Sequence, residues 1–122
     1  MAKVLVDTDI LIDIFRGNIK LDTELKDHSL SISAVTFVEL IQGENTSRKE
    51  ISLINSYIKE FNFLHISEDI SVLGVDLVKE YSPSHNLKLA DALIAATAIL
   101  HDLSLLTLNK KDFKYIPELD LL

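Results

Sequence analysis

The chain has 122 residues, 48% of them hydrophobic, which is enough for one domain with a buried core and too few for two. It contains no cysteine, so a disulfide framework and a thiolate zinc site are excluded, and its four histidines are scattered, so any metal would be held by oxygen. A formal net charge of -7 argues against broad electrostatic binding to nucleic acid, although a cluster of carboxylates that holds divalent cations makes that tally overstate the repulsion a phosphate would meet. No charged-then-apolar leader opens the chain, and no apolar run reaches the roughly 18 residues needed to span a bilayer. The expectation is a soluble, cytoplasmic, single-domain protein with no membrane partner.

Val4, Leu5 and Val6 form an apolar run too short for a helix and suited to a buried parallel strand. The run stops on Asp7, with Thr8 and Asp9 following. Ligands of open α/β sheets bind at the carboxyl ends of strands, which makes Asp7 the first candidate site residue. Asp and Thr are also good helix caps, and on these residues alone capping and chemistry weigh equally. Ile10 to Phe15 reads as a short buried helix ended by Gly17 and Asn18, and Leu21 to Lys26 as a second one. The alternation Leu30, Ser31, Ile32 predicts strand two.

Ser33 opens a helix with apolar cover from Ala34 to Ile41 and Gly43 as its terminator. Glu39 lies inside it, one turn from Thr36, where flanking by Val38, Leu40 and Ile41 makes it costly to desolvate unless it faces water, a partner or a metal. Taken alone it reads as a surface glutamate. From Asn45 to Phe61, Ile51, Ile54, Ile58 and Phe61 recur at three- and four-residue steps, which predicts a long solvent-facing helix. Phe63 to Ile66 is the third strand. Ser67 then caps a helix with Glu68 and Asp69 in its first turn, running to about Tyr81 before Pro83 stops it.

After a polar connection from Ser84 to Lys88, Leu89 to His101 is the clearest helix of the chain, rich in alanines that favour helix and let it lie close to a sheet. Asp91 falls in its first turns, where the helix dipole favours a carboxylate even without a function. Ser104 to Thr107 is the fourth strand. Leu108 to Phe113 is a lysine-bearing loop containing Asp112, and the tail from Tyr115 to Leu122, with Pro117, is a candidate edge strand.

Strands and helices alternate along the whole chain, the pattern of a three-layer α/β/α sandwich on a mainly parallel sheet. Right-handed crossovers bring the ends of strands one and four together, so Asp7, Glu39, Asp91 and Asp112 can converge on one pocket. Two unit negative charges about 5 Å apart repel by about 3 kcal/mol at an effective dielectric near 20, so such a group protonates or takes a cation. Mg2+ or Mn2+ is the natural counterion, and the chemistry implied is in-line attack of an activated water on a phosphodiester.

These residues resemble a known family. Val-Leu-Val-Asp-Thr-Asp at 4 to 9, Ser33-Ala34-Val35-Thr36 with Glu39-Leu40 and Gly43, the run Leu89-Ala90-Asp91-Ala92-Leu93-Ile94-Ala95-Ala96-Thr97-Ala98, and Thr107-Leu108-Asn109 with Asp112-Phe113 look like the four motifs of PIN-domain ribonucleases, in the family's order. The similarity is greatest to VapC-type toxins of prokaryotic toxin-antitoxin pairs. The resemblance implies a PIN-like fold and a Mg2+- or Mn2+-dependent endoribonuclease with Asp7, Glu39 and Asp91 as core metal ligands and Asp112 as the fourth acid. Thr8, Thr107 and Asn109 would be supporting polar residues. Asp9 stands where many relatives carry Asn or Ser, as an extra acid, a helix cap or both. The resemblance also implies an RNA substrate, a homodimer and a cognate antitoxin, for which the helical surface of residues 45–61 is a candidate contact.

Weaker features complete the reading. Lys88, Lys110, Lys111 and Lys114 read as a solvated charged loop, with a small positive rim for an RNA backbone as the alternative. His28, His65, His85 and His101 lack metal-ligand spacing and read as surface or packing residues. Arg16 is either a solvated helix end or a phosphate contact. Rival functions are a haloacid-dehalogenase-type phosphatase, suggested by Asp7-Thr8-Asp9 but lacking a hydroxyl where Ile10 and Leu11 stand, and a phosphoacceptor receiver domain, which needs an Asp where strand three ends in His65, Ile66 and Ser67. A catalytically silent PIN scaffold would be marked by a lost acid, and none is missing.

Overall fold

The computed structural model describes residues 2–43 and 46–122. The apolar runs become β1 (Lys3–Val6), β2 (Ser29–Ser33), β3 (Asn62–Leu64) and β4 (Ser104–Leu106). Between them lie α1 (Thr8–Phe15), α2 (Ile19–Leu25), α3 (Ala34–Ile41), α4 (Arg48–Tyr57), α5 (Glu68–His85) and α6 (Leu89–Leu100), with 3-10 turns at Ile58–Glu60 and Lys110–Asp112. Short polar side chains start most of the helices: Asp7, Asn18, Ser33, Ser47 and Ser67 each accept a backbone N–H from the turn that follows.

The strand order is β3-β2-β1-β4, and every pairing between these strands is parallel. The chain winds outward from β1 to β3, then returns through α5 and α6 to lay β4 on the other side of β1. Strand order therefore reverses between β1 and β4, the place where doubly wound sheets open a crevice at their carboxyl ends. A receiver domain has β1 between β2 and β3, so this sheet excludes that rival.

Alternation along β1 divides the core in two. Val4 and Val6 join Ile10, Leu11, Leu25, Ile32, Leu40 and Ile58 on one face, whereas Leu5 joins Leu105, Ile70, Leu77 and the alanines of α6 on the other. Helices α1 to α4 thus belong to one layer and α5 with α6 to the opposite one, as the three-layer expectation requires. Among the described residues no helix is long and apolar enough to cross a membrane.

Four local expectations need adjustment. Helix α1 begins at Thr8 rather than Ile10, because Asp7 caps it directly. Pro83 does not stop α5: the helix continues to His85 and ends at Asn86, whose φ of 56° is left-handed. A proline withdraws one N–H and crowds the preceding turn, but so near the end that loss is confined to one bond. The next turn closes through Asn86 N–H to the Ser82 carbonyl at 2.9 Å, and the His85 ring lies flat on Tyr115. The long helix expected from Asn45 to Phe61 is shorter, α4 plus a 3-10 turn, and Asn45 lies outside the described residues. Finally, the tail adds a single parallel bridge between Leu105 and Leu121 rather than a full edge strand.

Candidate active site

Asp7 leaves the sheet at the end of β1, where its backbone N–H still bonds the Leu106 carbonyl at 2.9 Å. Its side chain is only 7% exposed. One carboxylate oxygen accepts the Thr8 N–H at 2.8 Å, and the other accepts the Thr107 hydroxyl at 2.8 Å. Asp7 is therefore the cap of α1 and at the same time a buried carboxylate at the carboxyl end of the sheet.

Thr107 follows β4 as Asp7 follows β1, and because those strands are neighbours the two side chains meet. The buried Thr107 hydroxyl also accepts the Asn109 N–H at 3.1 Å and lies 3.3 Å from Asp9. Asp9 Oδ2 accepts the Asn109 side-chain amide at 2.9 Å and the Leu108 N–H at 3.2 Å. The first turn of α1 is thereby tied to the loop after β4. Asp9 Oδ1 is buried and has no protein partner.

Glu39 reaches the same end of the sheet from α3. The spacing that places Thr36 and Glu39 on one helical face brings both to Thr8, whose hydroxyl donates to Glu39 Oε1 at 2.6 Å and lies 3.2 Å from the Thr36 hydroxyl. Asp91 sits in the first turn of α6, and Asp112 ends the 3-10 turn after β4. They share a polar pocket of about 90 Å³ with Lys111, Asn86, His85 and Tyr115.

The titration of these acids reports their proximity. Loss of hydration pushes the Asp7 carboxyl up to about 6; the Thr107 and Thr8 hydrogen bonds oppose the rise, and the charges of Asp9 and Asp91 add to it. Burial likewise pushes Asp91 up to about 6, with repulsion from Asp112, Glu39 and Asp9. Asp91 is thus within electrostatic reach of Asp112, Glu39 and Asp9, and Asp7 within reach of Asp9 and Asp91.

The chemistry of this donor set fits a hard divalent cation: oxygen ligands, mutual repulsion that a cation relieves, and a buried carboxylate oxygen left without a donor. The side chains are not yet gathered around one point, since among the described residues no three Asp, Glu or His groups already form a ligand cluster. Thr8 holds Glu39 through Oε1 and Asn109 holds Asp9 through Oδ2, so each of these bonds engages one oxygen of its carboxylate and leaves the other outside it.

Of the eight residues singled out from the sequence, Asp7, Thr8, Asp9, Glu39, Thr107 and Asn109 are joined by hydrogen bonds at this end of the sheet, and Asp91 and Asp112 share the polar pocket. Lys88, Lys110 and Lys114 are exposed and outside the pocket, whereas Lys111 lines it. Arg16 lines a different groove, with Phe15 and Tyr57. Sequence reasoning missed the place of His85, because its partner Tyr115 lies far along the chain and no local spacing signals the pair.

Residues 4–119 match the PIN domain family. Ribonuclease VapC10 of Mycobacterium tuberculosis is 38% identical over 122 residues, covering 95% of this chain and 90% of the relative. Ribonuclease VapC19 of the same organism is 35% identical, covering 94% and 95%. Among solved structures, a toxin-antitoxin complex from Klebsiella pneumoniae superposes with a TM-score of 0.81 at 37% identity, covering 96% of this chain and 95% of that one. VapBC2 from Rickettsia felis, bound to a DNA fragment from its promoter, gives 0.82 at 25% identity over 98% and 96%. The chain belongs to the PIN-domain family, among the VapC ribonucleases.

Proposed function

We propose that this protein is a Mg2+- or Mn2+-dependent endoribonuclease and the toxin of a type II toxin-antitoxin pair. The observation that carries the reading is the convergence of five carboxylates at the β1–β4 crevice, with Asp7 and Asp91 pushed up to about 6. Asp7, Glu39, Asp91 and Asp112 would hold the cation. When bound, such an ion polarises a phosphodiester oxygen and makes water acidic enough to attack phosphorus at neutral pH.

The remaining residues orient that set. Thr107 fixes one Asp7 oxygen, and Thr8 donates its N–H to the other and its hydroxyl to Glu39. Asn109 and the Leu108 N–H restrain Asp9 through Oδ2, and its buried Oδ1 has no donor among the described residues. Positioning contacts of this kind typically contribute about 10- to 100-fold to metal affinity or activity. The test is cleavage of a structured RNA pool with Mg2+, with Mn2+ and with chelator, beside Asp91→Asn. Metal-dependent cutting lost in the variant is the expected result. Equal inertness of both proteins, with no metal bound to the wild type by calorimetry, would overturn the reading.

An antitoxin is the proposed protein partner, in keeping with the toxin-antitoxin complexes among the structural relatives. A groove of about 530 Å³ runs between α1 and α4, floored by Leu40 and walled by Ile12, Phe15, Leu53, Ile54 and Tyr57. An amphipathic antitoxin helix suits such an apolar groove. The expected result is slowed amide exchange in α4 when the antitoxin binds, and unchanged exchange there rejects the contact. A second copy of the chain completes the proposed cytoplasmic assembly, with exposed Val38, Ile66 and Leu89 beside Glu39 as apolar surface.

A further inference from the structure

The pocket that Asp91 and Asp112 share holds more than acids. His85 and Tyr115 line it with centroids 4.0 Å apart and rings within 7° of parallel, the arrangement of stacked bases. Tyr81 packs on both, 5.2 Å from Tyr115 and 6.2 Å from His85, so three rings cluster at the rim of the acid crevice. Tyr115 is half-buried and anchors the stack, whereas His85 is exposed. The extra turn of α5 beyond Pro83, closed by the left-handed Asn86, puts His85 there.

The size of the pocket decides what enters it. About 90 Å³ is room for roughly three waters, too little for a nucleobase and enough for part of a sugar-phosphate backbone. Lys111 supplies one positive charge in the lining. A base attached to a backbone held there falls outside the pocket, at the aromatic rim. Single-stranded RNA is bound through such exposed rings, because unstacked bases recover their stacking on them.

We propose that His85, braced on Tyr115, is a platform for the base of a nucleotide flanking the scissile bond in single-stranded RNA, with Lys111 beside that nucleotide's phosphate. The inference rests on the ribonuclease reading and adds a binding subsite to it. His85 acts here through its ring face and is a positioning residue.

The experiment measures fluorescence anisotropy of labelled single-stranded RNA hexanucleotides in Mg2+, with the protein carrying Asp7→Asn so that RNA stays intact and the rim is untouched. Adding His85→Ala weakens binding about tenfold, the contribution of one stacked base. Adding His85→Phe instead restores it, since a stack needs a ring and not an imidazole. In protein with Asp7 intact, His85→Ala raises KM for cleavage more than it lowers kcat. The proposal is overturned if His85→Ala leaves affinity unchanged, if His85→Phe fails to restore it, or if affinity falls only as thermal stability falls. Should RNA bind and be cut while His85 substitutions change neither, the platform fails and the nuclease stands. Should the RNA neither bind nor be cut with metal present, both fail.

Discussion

The two faces of the sheet are built to different standards. On the α5–α6 face, Ala92, Ala95, Ala96 and Ala98 have no exposure, and the helices pack so closely that a Cβ on Gly74 would lie 2.9 Å from Leu93 Cδ2. On the α1–α4 face, α4 has no buried residue, while Phe15 and Leu53 are 42% and 61% exposed along an open groove. Asp91 is rooted in the face whose inner side is sealed and Asp7 at the end of the central strand; α5 and α6 also expose Val72, Val75, Leu89 and Leu100, but on the open face the exposed Ile12, Phe15 and Leu53 line one groove. The acids draw on both layers, Asp9 and Glu39 from α1 and α3 and Asp91 from the tightly packed α6, and the unfilled groove lies where the antitoxin is proposed to bind.

The comparison breaks most severely if the sealed face tolerates extra volume. Ala96→Leu inserts three heavy atoms where there is no exposed surface, and we expect a loss of about 3 kcal/mol in urea unfolding. Because α6 carries Asp91, metal affinity should fall with it. A neutral result would mean that α6 has slack and that its alanines do not position the acid.

Next in size is the effect of the charges themselves. The carboxyls of Asp7 and Asp91 titrate near 6 when folded, against an ordinary value of 3.8, so between those limits the folded chain binds more protons than the unfolded one. Stability of the metal-free protein from these groups therefore falls as pH rises from about 4 to 6, and is flat above. Asp91→Asn removes one of the charges and should stabilise the metal-free protein by about 1–2 kcal/mol at pH 7.5, allowing for the exposed part of the side chain, with little effect at pH 4.5. Under the proposed function the same substitution should abolish metal-dependent cleavage. Mg2+ should raise the thermal midpoint more at pH 7.5 than at pH 5, since it binds the charged form. Destabilisation of the metal-free protein by Asp91→Asn would show that the acid is held by structural contacts rather than strained by burial.

How much of this was legible before the fold depends on the range of the signal. Val4 to Val6, the alanine run of α6 and the serine caps are local patterns, and the structure follows them closely. The candidate acids were individually ambiguous, each explicable as a cap or surface residue. Their convergence came from strand alternation and crossover handedness, and from the family resemblance in motif order. Pro83 misled because a proline removes only its own N–H bond, and the residues after it still close on the helix through Asn86 N–H to Ser82 and the His85–Tyr115 stack. The tie from Asp9 to Asn109 spans 100 residues and exists only because β1 and β4 are neighbours. The groove was half visible: the amphipathic pattern marked the helix but not its open side.

The smallest expected effect is the sharpest test of that open side. Leu53→Ala removes a side chain that already faces solvent, so the isolated protein should lose less than about 0.5 kcal/mol. Leu11→Ala, on the same face but with no exposure, should lose about 2–5 kcal/mol. Antitoxin affinity, measured by calorimetry, should respond in the opposite order once unfolded protein is accounted for: a fall of about tenfold for Leu53→Ala, as for an apolar anchor in a helix-binding groove, and little change for Leu11→Ala. If Leu53→Ala destabilises the isolated chain by more than about 1 kcal/mol, Leu53 is core and the groove is closed in solution. If stability and antitoxin affinity both stay put, the groove is open but serves another partner, and the looser packing of the α1–α4 face no longer marks the antitoxin site.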